Sequence, residues 1–98
     1  MLVLDEPTRG LDLVARHVFM ERIRDVARQG VTILLVTHYV DEVIPEIERV
    51  ILLERGQIAA DGAKAAVLTS EALTRVFSAP LAVEETSGYY HARVVGEF

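Results

Sequence analysis

Two short, wholly apolar segments, Leu2-Val3-Leu4 and Ile33-Leu34-Leu35-Val36, constrain this chain more than anything else in it. Between them lies one long helical pattern. Ala15, Val18, Phe19, Ile23, Val26 and Ala27 recur at i, i+3, i+4 spacings and make a single apolar stripe. Arg16, Arg22, Arg24 and Arg28 decorate the remaining surface. Asp12 stands at the N-cap, and Gly30 at the C′ position that ends such a helix. Apolar strands without clean alternation, joined by a helix, predict a parallel pair covered on both faces.

The rest of the chain reads as shorter elements. Residues 39–47 suit a short helix, kinked or ended near Pro45. Residues 50–53 read as a third buried strand. Glu54-Arg55-Gly56-Gln57 is then a turn signal before Ile58-Ala59-Ala60, which predicts a hairpin. Residues 63–78 give one or two helices, the second capped by Thr69 or Ser70. Residues 81–85, Thr86-Ser87-Gly88 and residues 89–95 have hairpin spacing again. The expected class is α/β, with parallel strands first and antiparallel hairpins toward the C-terminus. We divide it into residues 1–78 and a short hairpin extension, 79–98.

Composition narrows the function classes. With 98 residues the chain fits one small domain or a piece of a larger one. A net charge of −5 argues against a broad nucleic-acid-binding face, because phosphate backbones demand a basic stripe. No cysteine is present, so there is neither a disulfide framework nor a thiolate metal site. No fully apolar run exceeds four residues, whereas a membrane-spanning helix needs about 20. MLVLDEPT lacks a basic leader and a long apolar region, so the expected location is the cytosol. A central strand starting directly at Met1 raises the expectation of a truncated domain.

Chemistry enters at the strand ends. In an open parallel sheet, ligands bind at the carboxyl ends of strands. Asp5 and Glu6 are delivered to that edge, and adjacent strand residues point in opposite directions. One carboxylate can hold Mg²⁺, usually through water; the other can orient or deprotonate an attacking water. A bare Asp-Glu is equally at home as a solvated strand end or a helix-cap pair. Thr37-His38 ends the next strand on the same edge. A histidine there can reach a γ-phosphate and its attacking water, or simply bond a loop carbonyl. His17 and His91 have no such placement and read as structural or surface residues.

Taken together, LVLDEPTRGLD, VTILLVTH and THYVDEV followed by VILLERGQIAADG resemble the second half of an ABC-type ATPase nucleotide-binding domain. The resemblance covers roughly residues 1–75 and implies a partial P-loop NTPase core. Residues 2–6 are similar to its Walker B strand, residues 8–12 to its D-loop, and His38 to its switch histidine. By that resemblance Asp5 is the Mg²⁺-associated aspartate and Glu6 the general base or water-orienting carboxylate. His38 contacts the γ-phosphate. Asp12 belongs to a loop that crosses to the partner domain, a role compatible with an ordinary N-cap. Arg9 stands where the family often has a small polar residue, and we read it as a solvated cation.

The resemblance further implies Mg²⁺ and ATP as cofactors of the full domain. It implies a second ATPase domain and transmembrane permease subunits as partners, at the inner face of a cell membrane. No GxxxxGK[ST], LSGGQ-type signature or Q-loop occurs in the sequence, so the match is to the C-terminal half of a catalytic domain. Neither nucleotide nor metal is expected on this chain alone, and uncovered sheet edges are expected to drive self-association. The run His38-Tyr39-Val40-Asp41-Glu42 looks like the transporter branch, particularly importers. The short tail resembles importer subunits of the iron-complex or cofactor type. The alternatives are a soluble ABC ATPase of translation or DNA repair, and a non-catalytic interaction module.

Overall fold

The computed structural model describes residues 1–96 and opens with β1 (Leu2–Asp5), α1 (Leu13–Arg28) and β2 (Ile33–Val36). The two strands are parallel, paired from Leu2↔Ile33 to Asp5↔Val36. Asp12 caps α1 by accepting from the Ala15 N–H at 2.8 Å. Gly30, with φ of +91°, takes the left-handed conformation just past the helix that other residues adopt only at a cost.

One face of this unit is packed. Leu2, Leu4, Ile33 and Leu35 meet Phe19, Met20 and Ile23 of α1, together with Ile44. The opposite face is bare, contrary to the expectation of strands covered on both sides. Val3, Leu34 and Val36 are 54%, 48% and 47% exposed. One crossover helix can cover only one side of a sheet. The buried line of α1 also differs from the expected stripe: Met20 is buried and Val18 is exposed. The sheet is met along Phe19, Met20 and Ile23, and Val18 falls outside that arc.

Residues 39–47 do not form a helix. A 3-10 turn at Val40–Glu42 is followed by extended backbone at Val43. Pro45 explains this, because it donates no N–H and disfavours helical geometry at the residue before it. The segment is nonetheless buried, and it divides its side chains. Val43 enters a cluster with Leu68, Leu73 and Tyr90, while Ile44 enters the cluster beneath β1 and β2.

β3 (Arg49–Glu54) pairs antiparallel with β4 (Gln57–Ala63), and β5 (Leu81–Thr86) with β6 (Tyr89–Val94). The third strand therefore does not continue the parallel layer; the described residues form three separate two-stranded sheets. Local turn chemistry accounts for the hairpins. Arg55-Gly56 and Ser87-Gly88 all have positive φ, the type I′ geometry whose twist matches paired strands. Gly88 has a second reason, since a Cβ there would lie 3.0 Å from the Pro45 ring.

Between the hairpins run α2 (Lys64–Val67) and α3 (Ser70–Phe77). Thr69 caps α3 by accepting from the Ala72 N–H at 3.1 Å. α3 is stitched to β5 by side-chain bonds: Ser70 Oγ accepts from the Val83 N–H, and Thr74 Oγ1 from the Leu81 N–H. No helix among the described residues is long and apolar enough to cross a membrane.

Candidate functional site

The parallel register carries both strand ends to one edge. Asp5 lies opposite Val36, and the Glu6 N–H donates to the Val36 carbonyl at 2.8 Å, extending the ladder by one residue. There the chain turns away: Glu6 has a φ of +46°, left-handed geometry for a non-glycine residue. Glu6 and His38 meet at this edge, with His38 Nε2 at 2.9 Å from Glu6 Oε1. Their side chains are 31% and 77% exposed, so the pair is open to a ligand. Arg9 Nη1 approaches the other Glu6 oxygen at 3.4 Å from a well-solvated position.

The remaining candidates stand apart from this pair. Asp5 lies on the bare face of the sheet with Val3. Among the described residues no group of three or more His, Asp or Glu side chains converges on a point where a metal could sit. A lone carboxylate does not make a Mg²⁺ site, because the ion needs six oxygens and takes most of them from water and substrate phosphate. The residues present therefore do not fit Mg²⁺ by themselves. Asp12 is engaged as the N-cap of α1, and its carbonyl accepts from the Arg16 N–H at 2.9 Å. His91, read from sequence as a structural or surface residue, lines the same groove of about 390 Å³ as His38, beside Tyr39 and Phe77.

Beneath the pair lies a network that sequence reasoning missed. Glu42 is the centre, with a side chain only 2% exposed. It accepts from the hydroxyls of Thr8 and Thr37 and from Arg16 Nε at 3.2 Å. Arg16, expected as surface decoration, also donates to Asp41 at 3.0 Å and lies over the Tyr39 ring. Burial opposes the Arg16 charge, but Asp41 and Glu42 outweigh it and hold the guanidinium above its ordinary range. One signal was available: Glu42 sits among Val40, Val43 and Ile44, where an acid needs a buried partner.

A search against family profiles finds none that matches the chain. Individual relatives do match. Over 71 residues the chain is 44% identical to the Nod factor export ATP-binding protein I of Paraburkholderia xenovorans, covering 72% of this chain and 23% of that protein. Over 84 residues it is 39% identical to a hemin import ATP-binding protein of Rhodococcus jostii, covering 86% and 29%. A solved metal-chelate type ABC transporter in an inward-facing conformation superposes with a TM-score of 0.77 at 27% identity. That superposition takes in 98% of this chain and 39% of the other.

The chain belongs to the ABC transporter ATP-binding family. It spans about a quarter of the length of the curated relatives it matches. The expected α/β class is borne out: the parallel β1–β2 pair and the antiparallel hairpins are a part of the P-loop NTPase fold of an ABC ATPase. Relatives named for export and for import both match, so membership in the ABC family carries no direction of transport by itself.

Proposed function

We propose that this chain carries the water-activating edge of an ABC ATPase subunit that powers a membrane transporter. The supporting observation is the 2.9 Å contact between Glu6 and His38 at the carboxyl ends of two parallel strands. An ionised Glu6 can orient a water and accept its proton. His38, on releasing Glu6, has an Nε2–H free to donate to a phosphoryl oxygen, so the pair is suited to opening around a ligand. Asp5 can offer at most one oxygen to Mg²⁺, and we assign no step to the ion. Asp12, in the loop after Glu6, is proposed to face a second ATPase domain.

Nothing in the 98 residues can cradle a triphosphate, since no GxxxxGK[ST] loop is present. The activity is therefore proposed for the whole subunit, working with transmembrane permease subunits at the inner face of a membrane. We favour import on the run His38-Tyr39-Val40-Asp41-Glu42 and the short tail, both of which resemble importer subunits.

Turnover decides the reading. In the whole subunit, Glu6→Gln keeps the side chain's shape and removes the base, so ATP binding should persist while hydrolysis falls by about 10²-fold or more. His38→Ala should fall comparably. Single-turnover rates near wild type in Glu6→Gln would place the base elsewhere. Calorimetric titration of the 98-residue chain with Mg-ATP should show no site tighter than about 100 μM, because P-loop amides and a Lys supply most of the affinity. A tighter saturable site would mean that this segment builds its own nucleotide pocket.

A further inference from the structure

We propose that Glu42 is the positioning residue of the Glu6–His38 pair, a buried carboxylate that ties together the two loops carrying them. The inference rests on the reading above only for the reaction concerned; the geometry stands by itself.

Solvent-accessible pairs of side chains hold their own geometry poorly, because ordering both costs entropy that offsets their attraction. Glu6 and His38 are such a pair, yet they meet at 2.9 Å. Their order has to come from the backbone beneath. Thr37 immediately precedes His38, and its hydroxyl does two things: it donates to Glu42 Oε1 and accepts from the Tyr39 N–H at 3.0 Å. The backbone is thus pinned on both sides of His38.

The other loop is held in the same way. Thr8 follows Glu6 by two residues, is itself buried, and donates its hydroxyl to Glu42 Oε2. The Glu6 and Thr8 carbonyls accept from the N–H groups of Arg9 and Leu11, closing the turn. A left-handed φ at a non-glycine residue is strained and persists only where the surroundings over-determine it. At Glu6 the strand ladder supplies one constraint and the Thr8–Glu42 bond the other.

A carboxylate can do this because it accepts at both oxygens, here from two hydroxyls and a guanidinium, and Arg16 balances its charge. An amide at the same position keeps the shape but turns one acceptor into a donor. Glu42→Gln should therefore retain part of the coupling and Glu42→Ala very little.

The test is a double-mutant cycle read by NMR on the full 98-residue chain. In the wild-type background Glu6→Gln should move the His38 ring ¹³C and ¹⁵N resonances. With Glu42→Ala in place the same substitution should move them at least about two-fold less, and with Glu42→Gln by an intermediate amount. The backbone amide spectrum reports whether each variant is folded. Should Glu42→Ala unfold, Thr37→Val decides, since it cuts only the His38 side and leaves Thr8, Arg16 and the carboxylate in place. An undiminished His38 response in the folded variant overturns the proposal, as does the absence of any response in wild type. ATP turnover in the whole subunit is a separate readout. A lost His38 response with normal turnover would sustain the positioning role and sink the hydrolytic reading.

Discussion

The two apolar clusters of this molecule are built on different terms. Met20 and Ile23 of α1, with Ile44, cover one side of β1 and β2, and the outer face of the sheet is bare. The C-terminal cluster of Val43, Leu68, Leu73 and Tyr90 is enclosed by two hairpins, two helices and the segment after the 3-10 turn. Its outer strand surfaces are also exposed at Leu53 and Ile58, but its centre is complete. The proposed water-activating pair sits on the less covered unit. That is where a ligand can approach, and where the strand ends must stay open.

Two leucines separate the packed cluster from the bare face. Leu73 is fully buried, at 0% exposure, and Leu34 lies on the bare face. Leu73→Ala should cost about 2–5 kcal/mol of stability, the sum of lost transfer free energy and a cavity. Leu34→Ala should cost no more than about 0.5 kcal/mol. Urea unfolding of both variants measures the difference. A large loss in Leu34→Ala would mean that the bare face is covered in solution by a second copy. The unfolding midpoint should then rise with protein concentration, as self-association requires.

A smaller effect is expected at the clasp between the two units. Arg24 on α1 holds both oxygens of Glu46, at 2.9 and 3.2 Å, and also donates to the Tyr89 hydroxyl at 3.1 Å. The hydrogen bond from Arg24 keeps the Glu46 carboxyl below its ordinary value of 4.5, against the opposing effect of burial. A depressed folded value means that the stabilisation is complete well above pH 4.5 and is lost as pH falls through the folded value. At neutral pH Glu46→Gln should lower stability by about 1 kcal/mol. Thermal midpoints of the two proteins should converge on acidification. A gap that stayed constant to low pH would show that the clasp works by packing alone.

Much of this architecture was legible because it is written locally. Arg55-Gly56 and Ser87-Gly88 mark their turns, Asp12 and Thr69 mark helix starts, and strand ends mark where Glu6 and His38 emerge. What escaped depends on partners distant in sequence. Glu42 lies 34 residues from Thr8 and 26 from Arg16, so its apolar neighbours hint at burial but do not name the partners. Val18 and Met20 both fit a helical stripe, and only the docked sheet decides between them. The bare face of β1 and β2 escaped for another reason. Val3, Leu34 and Val36 are apolar, so the sequence reads as though both faces were covered, while the described residues cover one.

The smallest expected effect isolates position from geometry. Arg49 and Asp61 form a bidentate pair across β3 and β4 at 2.8 and 2.7 Å, as well made as the Arg24–Glu46 contact. Hydrogen bonding from Arg49 likewise holds the Asp61 carboxyl below its ordinary range. The difference is the setting: this pair lies on the open surface of one hairpin and joins strands that the ladder already joins. Solvent and salt screen it, and ordering two side chains offsets most of the attraction. Arg49→Ala should leave the thermal midpoint where it is, at low salt as at high salt. If Arg49→Ala destabilised the chain as much as Glu46→Gln does, good geometry alone would suffice for an ion pair here. Spanning the two units would then confer no advantage on the Arg24 clasp.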